Sequence, residues 1–342
     1  MPAIPKMAAM PSRPAQVLQL QGLSMGTTWQ VKCVPPPGLP AERLRQGIQA
    51  RLDQVVDQMS TWETESDLSR FNRAAPGTVV PLAAEFNRVL DYALTVARET
   101  AGACDATAGA LVNAWGFGPG SPFRTTGFEP PSEDRIADAR SQGGWQRLKL
   151  DPVRRTAIQP GGLQLDLSSI AKGFGVDQVA SYLEETGIGS FLVEVGGELR
   201  GAGVKPDGQP WWVRLEQPGA DAGVVDTVVA LHGLAVATSG DYRRFFDAAD
   251  ARYCHTIDPR SGRPVGPDMA SVTVLHEACM AADALSTALM VMGREEGVAW
   301  ADRHGVAALF RIRHCADDAA ARAGTSVHLS EHMTERFAGL LN

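Results

Sequence analysis

The sequence predicts an α+β protein in which antiparallel or mixed sheets pack against a few amphipathic helices. Three observations carry that prediction. Leu44, Ile48, Leu52, Val55 and Met59 recur at helical spacing, as do Phe86, Val89, Leu90, Ala93, Val96 and Ala97. Beyond residue 146, short apolar runs dominate. Helices interrupt those runs irregularly, without the alternation of a βαβ series.

In chain order, Val17–Leu20 and Thr28–Val34 read as strands, the second with Trp29, Val31 and Cys33 alternating with polar residues. Pro35–Pro40 breaks the chain before the first helix, and a second helix spans Ala84–Thr100. Residues 116–145, rich in Gly, Pro and Ser, read as a long surface excursion. Strands are then expected at Arg147–Leu150, Gly162–Leu167, Ser190–Val195, Trp211–Glu216, Val225–Leu231, Ala235–Thr238, Ser271–Leu275 and Ala307–Ile312. Helices are expected at Lys172–Thr186, Cys279–Met292 and Glu295–Arg303.

Bulk properties remove several function classes. The 342 residues carry a net charge of -7 with no Lys/Arg cluster, which argues against a nucleic-acid partner. Five widely spaced cysteines without a CxxC argue against a disulfide scaffold or structural zinc and for buried thiols. No stretch approaches the ~18 apolar residues of a membrane span. Residues 1–16 hold four prolines and lack the ~7–15-residue apolar core of a secretory signal, so they read as a disordered tail. The chain as written is expected in the cytoplasm; an upstream start with a leader would make it periplasmic.

Gly22-Leu23-Ser24-Met25-Gly26 fits the nucleophile-elbow pattern, but that motif needs a following helix and a strand is expected instead, so the match reads as accidental. The glycines of 116–120 lack the flanking strand and helix of a dinucleotide fingerprint. Asp283, Ser286 and Thr287 fall at i, i+3 and i+4 of a helix and can present oxygens together, as Mg²⁺ requires; an ordinary helix with Asp exposed is the plain alternative. Asp166–Asp177 ends a strand and opens a helix whose N–H groups suit a pyrophosphate, with Ser168 as N-cap; a simple capped turn would look the same. His255 and Asp258 precede a turn, and Glu194–Glu198 and Thr238–Tyr242 read as turns after apolar strands.

Taken together and in order, these segments resemble the ApbE family of FAD:protein FMN transferases. The series runs through Met25–Trp29, Met59–Trp62, Ser66–Asn72, Cys104–Gly109 and Leu111–Gly118. It continues with Asp166–Asp177, Glu194–Glu198, Thr238–Arg243, His255–Pro259 and Asp283–Thr287. The resemblance covers about residues 20–312. It implies one T-fold-like α+β domain over 17–342 with FAD in a central cleft and Mg²⁺ on its pyrophosphate. By motif position it implies flavin contacts from Met25, Trp62, Ala103, Cys104, Asp105, Ser168, Phe174 and Ile257. It places the metal on the Ala171 carbonyl, Asp283 and Thr287, with Ser286 close by. The chain departs from the family in having serines at 168 and 169 where a glycine is usual, Phe174 where tyrosine is frequent, and Cys104 where Phe or Met is usual.

The implied reaction moves FMN from FAD to a threonine hydroxyl of an acceptor flavoprotein and releases AMP. His255 is the expected base, with a pKa suited to neutral pH, and Asp258 its orienting partner. Trp62 or Phe174 is expected to stack on a ring of FAD. Two alternatives use the same FAD site: a pyrophosphatase releasing FMN and AMP, and a non-catalytic FAD-binding protein.

Overall fold

The computed structural model describes residues 16–120, 122–218, 227–248, 251–314 and 328–341. Residues 1–15 of the expected tail, the start of the expected strand at Val225, and Cys315 lie outside these residues. The chain opens with β1 (Leu18–Ser24) and β2 (Thr27–Cys33), then α1 (Ala41–Met59), α2 (Asp67–Arg73), β3 (Val79–Pro81), α3 (Ala84–Glu99), α4 (Gly109–Ala114) and α5 (Glu133–Gln142). Next come β4 (Lys149–Asp151), β5 (Thr156–Ile158), α6 (Ala171–Glu185), β6 (Phe191–Val195), β7 (Glu198–Ala202), β8 (Trp211–Arg214), β9 (Val228–Leu231) and β10 (Leu234–Gly240). Two small hairpins follow, β11 (Phe245–Ala248) with β12 (Ala251–Cys254) and β13 (Ile257–Asp258) with β14 (Arg263–Pro264). The chain closes with β15 (Met269–His276), α7 (Cys279–His304), β16 (Ala307–His314), β17 (His328–Met333) and a short helix Glu335–Ala338.

Eight strands form one sheet in the order β1-β2-β6-β7-β10-β15-β16-β17, antiparallel at every pairing. One face carries α1, α6 and α7. Alternation explains the split: Trp29, Val31 and Cys33 of β2 and Phe191, Val193 and Val195 of β6 point inward, where they meet Leu44, Ile48 and Leu52 of α1 and Val176, Val179 and Leu183 of α6. Each fully buried aliphatic side chain of this kind stabilises the fold by ~1.5–3 kcal/mol. Under β10, β15 and β16 the inward residues pack on α7 through Leu285, Leu289 and Trp300. The opposite face is covered by the β8–β9 hairpin and the short C-terminal helix, whose Phe337 is fully buried.

The expected helices and most expected strands are present, with two corrections. Gly162–Leu167 makes one isolated bridge, Ala108 to Gln164, and is not a strand. The two expected C-terminal helices are both there, meeting within α7 at Gly293, whose backbone (φ 74°, ψ -168°) is not helical. The 116–145 region is not a mere surface excursion. It contains α5, and Trp115, Phe117, Ile136 and Ala139 bury one another in a satellite core with Phe123, Phe246 and Tyr253. Gly22–Gly26 forms the tip of the β1–β2 hairpin: Met25 and Gly26 take φ 51° and 69°, the left-handed pair a two-residue turn requires. Ser24 sits at the end of a strand with no helix behind it, so the hydrolase elbow is absent. Among the described residues, no helix is long and apolar enough to cross a membrane.

Candidate active site

A cleft of about 370 Å³ opens at one end of the large sheet. The β1–β2 turn, the β6–β7 turn and the end of β10 form its sheet side, and the start of α6 and the first turns of α7 form its helix side. The Ala103–Asp105 and Asp166–Ser169 loops and the His255–Pro259 segment close the rest.

At the helix side, Asp283 is buried, and its Oδ2 accepts from the Gly173 N–H at 2.9 Å. Burial raises its pKa, opposed by the Lys172 ammonium and that N–H. A carboxylate held in this way is stabilised by a further cation. One turn along α7, Ser286 donates to the Asp283 carbonyl at 2.9 Å, and Ser239 lies 2.9 Å from Ser286 and 3.0 Å from Thr287. If each hydroxyl donates once, the chain runs Thr287 to Ser239 to Ser286 to the carbonyl. The lone pairs of Thr287 Oγ1 are then left facing the cleft. One carboxylate with neutral oxygens suits Mg²⁺ completing its shell from substrate phosphates and water. Among the described residues no group of three or more His, Cys, Asp or Glu is placed to hold a metal. Ala171 opens α6 two residues before Gly173, at the same corner.

Lys172 reaches from α6 to the buried Glu198 of β7. Burial depresses the ammonium, but Glu198 and Asp283 outweigh it and its pKa ends raised. Burial also raises the Glu198 carboxyl, opposed by Lys172, and its Oε2 has no protein partner. Arg243 donates to Glu216 at 2.8 Å and to the Gly196 carbonyl at 2.8 Å. With Arg244, Lys172 and Arg243 bring three cationic side chains to the cleft, beside the carboxylates of Asp105, Asp166, Glu198 and Asp283.

His255 stands on the far side. Its ring Nδ1 lies 3.2 Å from the Arg244 carbonyl, which also accepts the His255 backbone N–H at 3.0 Å. A carbonyl only accepts, so Nδ1 carries the proton and neutral Nε2 keeps its lone pair. The expected near-neutral pKa is corrected: burial first, then Arg244, lowers it to about 4, with Lys172 and Arg243 adding to the effect. The expected Asp258 partner is also corrected. Its Oδ1 accepts from the Arg260 backbone N–H at 2.9 Å and from Arg260 Nε at 3.0 Å, and it bonds nothing on His255. The Arg244 carbonyl does the orienting.

Of the residues expected at the flavin, Met25, Ala103, Cys104, Asp105, Ser168 and Ile257 line the cleft. Asp105 spends both carboxylate oxygens on its own loop, accepting from Thr107 and from the Trp145 N–H at 2.9 Å. The Cys104 thiol is pushed up to about 12 by burial and lies 3.5 Å from Ser169 Oγ. Two stacking expectations fail. Phe174 is 1% exposed inside the core between α1, α3 and α7, because it projects from a different face of α6 than Lys172. Trp62 is half exposed on the turn after α1 and does not line the cleft. Ser286 is buried behind the cleft wall. Sequence reasoning passed over Lys172, Glu198, Ser239 and Arg244, although the first three lie inside the motif segments.

The sequence profile of the ApbE family matches residues 25–310. The chain is 39% identical over 302 residues to the FAD:protein FMN transferase of Vibrio cholerae, covering 88% of this chain and 89% of that one. It is 37% identical over 305 residues to that of Haemophilus influenzae, covering 87% of each. The crystal structure of the Pseudomonas stutzeri flavinyl transferase, apo form, superposes with a TM-score of 0.85 at 37% identity, over 97% of this chain and 99% of that one. The protein from Thermotoga maritima superposes with a TM-score of 0.81 at 26% identity, over 96% of this chain.

Proposed function

The chain belongs to the ApbE family and is an FAD:protein FMN transferase, and we propose that the cleft at the sheet end binds FAD and performs the transfer to a threonine of the acceptor protein. Met25, Ala103, Cys104, Asp105, Ser168 and Ile257 line the flavin's share of the cleft. Lys172 faces the pyrophosphate. Asp283, Thr287 and the Ala171 carbonyl would hold Mg²⁺, with Ser239 and Ser286 fixing the Thr287 hydroxyl. A bound Mg²⁺ supplies charge neutralisation on the pyrophosphate and the departing AMP.

The acceptor's threonine oxygen bonds to the FMN-side phosphorus as the bond from that phosphorus to the bridging oxygen breaks. AMP leaves with that oxygen, and the hydroxyl proton passes to His255 Nε2. Burial is the larger cause of the His255 depression and stays; the share due to the three cations is offset once an anionic pyrophosphate lies among them, which moves its basicity part of the way back toward the working range.

The observation that carries this reading is one cleft holding both a neutral histidine with a free Nε2 and the Asp283–Thr287 oxygens. The test is incubation with FAD, Mg²⁺ and an acceptor domain bearing the threonine, followed by mass spectrometry. A gain of one FMN on that threonine, with AMP in solution, is expected. FMN and AMP released at the same rate without an acceptor would make the enzyme a pyrophosphatase.

A further inference from the structure

Neither helix that builds the metal corner caps itself. The N-cap positions of α6 and α7, Ile170 and Ala278, make no side-chain cap bond. Each helix is capped instead by a carboxylate of the other. Asp283 of α7 accepts from Gly173 N–H in the first turn of α6 at 2.9 Å. Asp177 of α6 accepts from the Cys279 N–H at 3.0 Å and the Met280 N–H at 2.9 Å, the first two residues of α7. Residues 173 and 177 share one face of α6, and 279 and 283 share one face of α7. The pairing 173 with 283 and 177 with 279 is that of two helices running in opposite directions. Contact is close enough that a Cβ on Gly173 would lie 2.4 Å from the Cys279 carbonyl oxygen. Arg200 of β7 adds a third donor to Asp177 at 2.8 Å, tying the lock to the sheet.

Resting on the metal assignment above, we propose that Asp177 is a positioning residue for the metal site. It fixes the first turn of α7 against α6, and so sets the spacing between the Ala171 carbonyl and the Asp283 and Thr287 oxygens. Asp177 does not line the cleft, so its effect passes through α7. Both ends of the lock are carboxylates accepting N–H groups at helix starts, where the macrodipole favours negative charge. A cation drawing on Asp283 weakens its hold on Gly173, and Asp177 then carries the alignment of the two helices.

The test is Mn²⁺ binding to the full chain, read from loss of the free-ion electron paramagnetic resonance signal with FAD present and absent. Asp177→Ala is expected to weaken Mn²⁺ binding ~10–100-fold, the usual cost of losing a residue that orients a metal ligand. Asp177→Asn keeps the shape and one acceptor, so it should fall between wild type and Asp177→Ala; it is the measurement if the alanine variant does not fold. Phe337→Leu, in the core on the opposite side of the sheet, controls for general destabilisation and should leave Mn²⁺ affinity unchanged. Unchanged affinity in both Asp177 variants, or an equal loss in Phe337→Leu, overturns the proposal. Asp283→Ala separates the two layers: if Mn²⁺ still binds tightly there, the metal assignment itself is wrong and the positioning role falls with it.

Discussion

The two walls of the cleft are built by different means. The wall proposed to hold the metal stands on α6 and α7, long helices buried against the sheet and locked together by two carboxylates. The histidine wall stands on a segment between two small hairpins. It is held by one carbonyl and by ring contacts such as Phe246 on Tyr253 at 5.3 Å and Phe117 edge-on to His255 at 6.3 Å. An ion shell tolerates little error in oxygen placement, and the oxygens proposed for Mg²⁺ stand where backbone and core fix the geometry. A proton acceptor must admit an incoming protein chain, and a loop anchored by rings and one carbonyl leaves room for that. The comparison predicts that damage on the metal wall affects both fold and chemistry, whereas at neutral pH damage on the histidine wall affects chemistry alone.

The largest effect is expected from Asp283→Ala. Mg²⁺-dependent turnover should drop below detection at limiting Mg²⁺, because the only carboxylate in the proposed shell is gone and neutral oxygens bind Mg²⁺ poorly. The variant should also melt earlier, since the Gly173 N–H loses a cap of the kind worth ~1 kcal/mol. Asp283→Asn sharpens the comparison: it can keep the cap and the melting temperature while losing the metal. Wild-type kinetics in either variant would remove the metal wall altogether.

His255→Ala comes next. Transfer at saturating FAD should slow ~10²–10⁴-fold while FAD affinity and melting stay near wild type, as for loss of a general base. Stopped-flow transfer rates set against FAD fluorescence titrations test this. A collapse of FAD affinity with a normal residual rate would make His255 a binding residue.

Thr287→Val should be smaller. The shapes match, one hydroxyl contact to Ser239 is lost, and stability should change by ~1 kcal/mol. Activity should fall more than that at low Mg²⁺ and recover as Mg²⁺ rises and water replaces the missing oxygen. A loss independent of Mg²⁺ would point to packing.

Last comes an effect on stability and not on turnover, a pH dependence carried by the histidine wall. The folded His255 pKa lies near 4, below its ordinary 6.5. The unfolded chain therefore takes up a proton first on acidification. This histidine's contribution is present in full above 6.5 and is lost as pH falls toward 4. One pKa unit is worth about 1.4 kcal/mol, so complete burial would set the loss near ~3 kcal/mol, and a partly open ring leaves a fraction of it. Urea midpoints of wild type and His255→Gln between pH 7 and 4 check the sign: the difference between them should change across that window. Parallel curves would mean that His255 titrates normally.

What the sequence determined by itself was local and periodic. Helical spacing of Leu44 to Met59 located α1 closely, and alternation in Trp29, Val31 and Cys33 fixed which face of β2 is buried, because both patterns repeat along the chain. The ordered motif series pointed to the family and brought Asp283, Thr287, His255 and Met25 to notice. Tertiary structure alone decided which groups face one another. Phe174 and Lys172 are two residues apart, yet one enters the core and the other the cleft, since a helix turns about 100° per residue and only packing says which face is covered. Asp258 looked like a partner for His255 because it is near in sequence, but Arg260 takes its carboxylate and the backbone of Arg244, eleven residues upstream, orients the ring. The lock of Asp177 on α7 spans about a hundred residues of chain. A contact at that separation exists only once the sheet has brought its two helices together, so no local pattern could announce it.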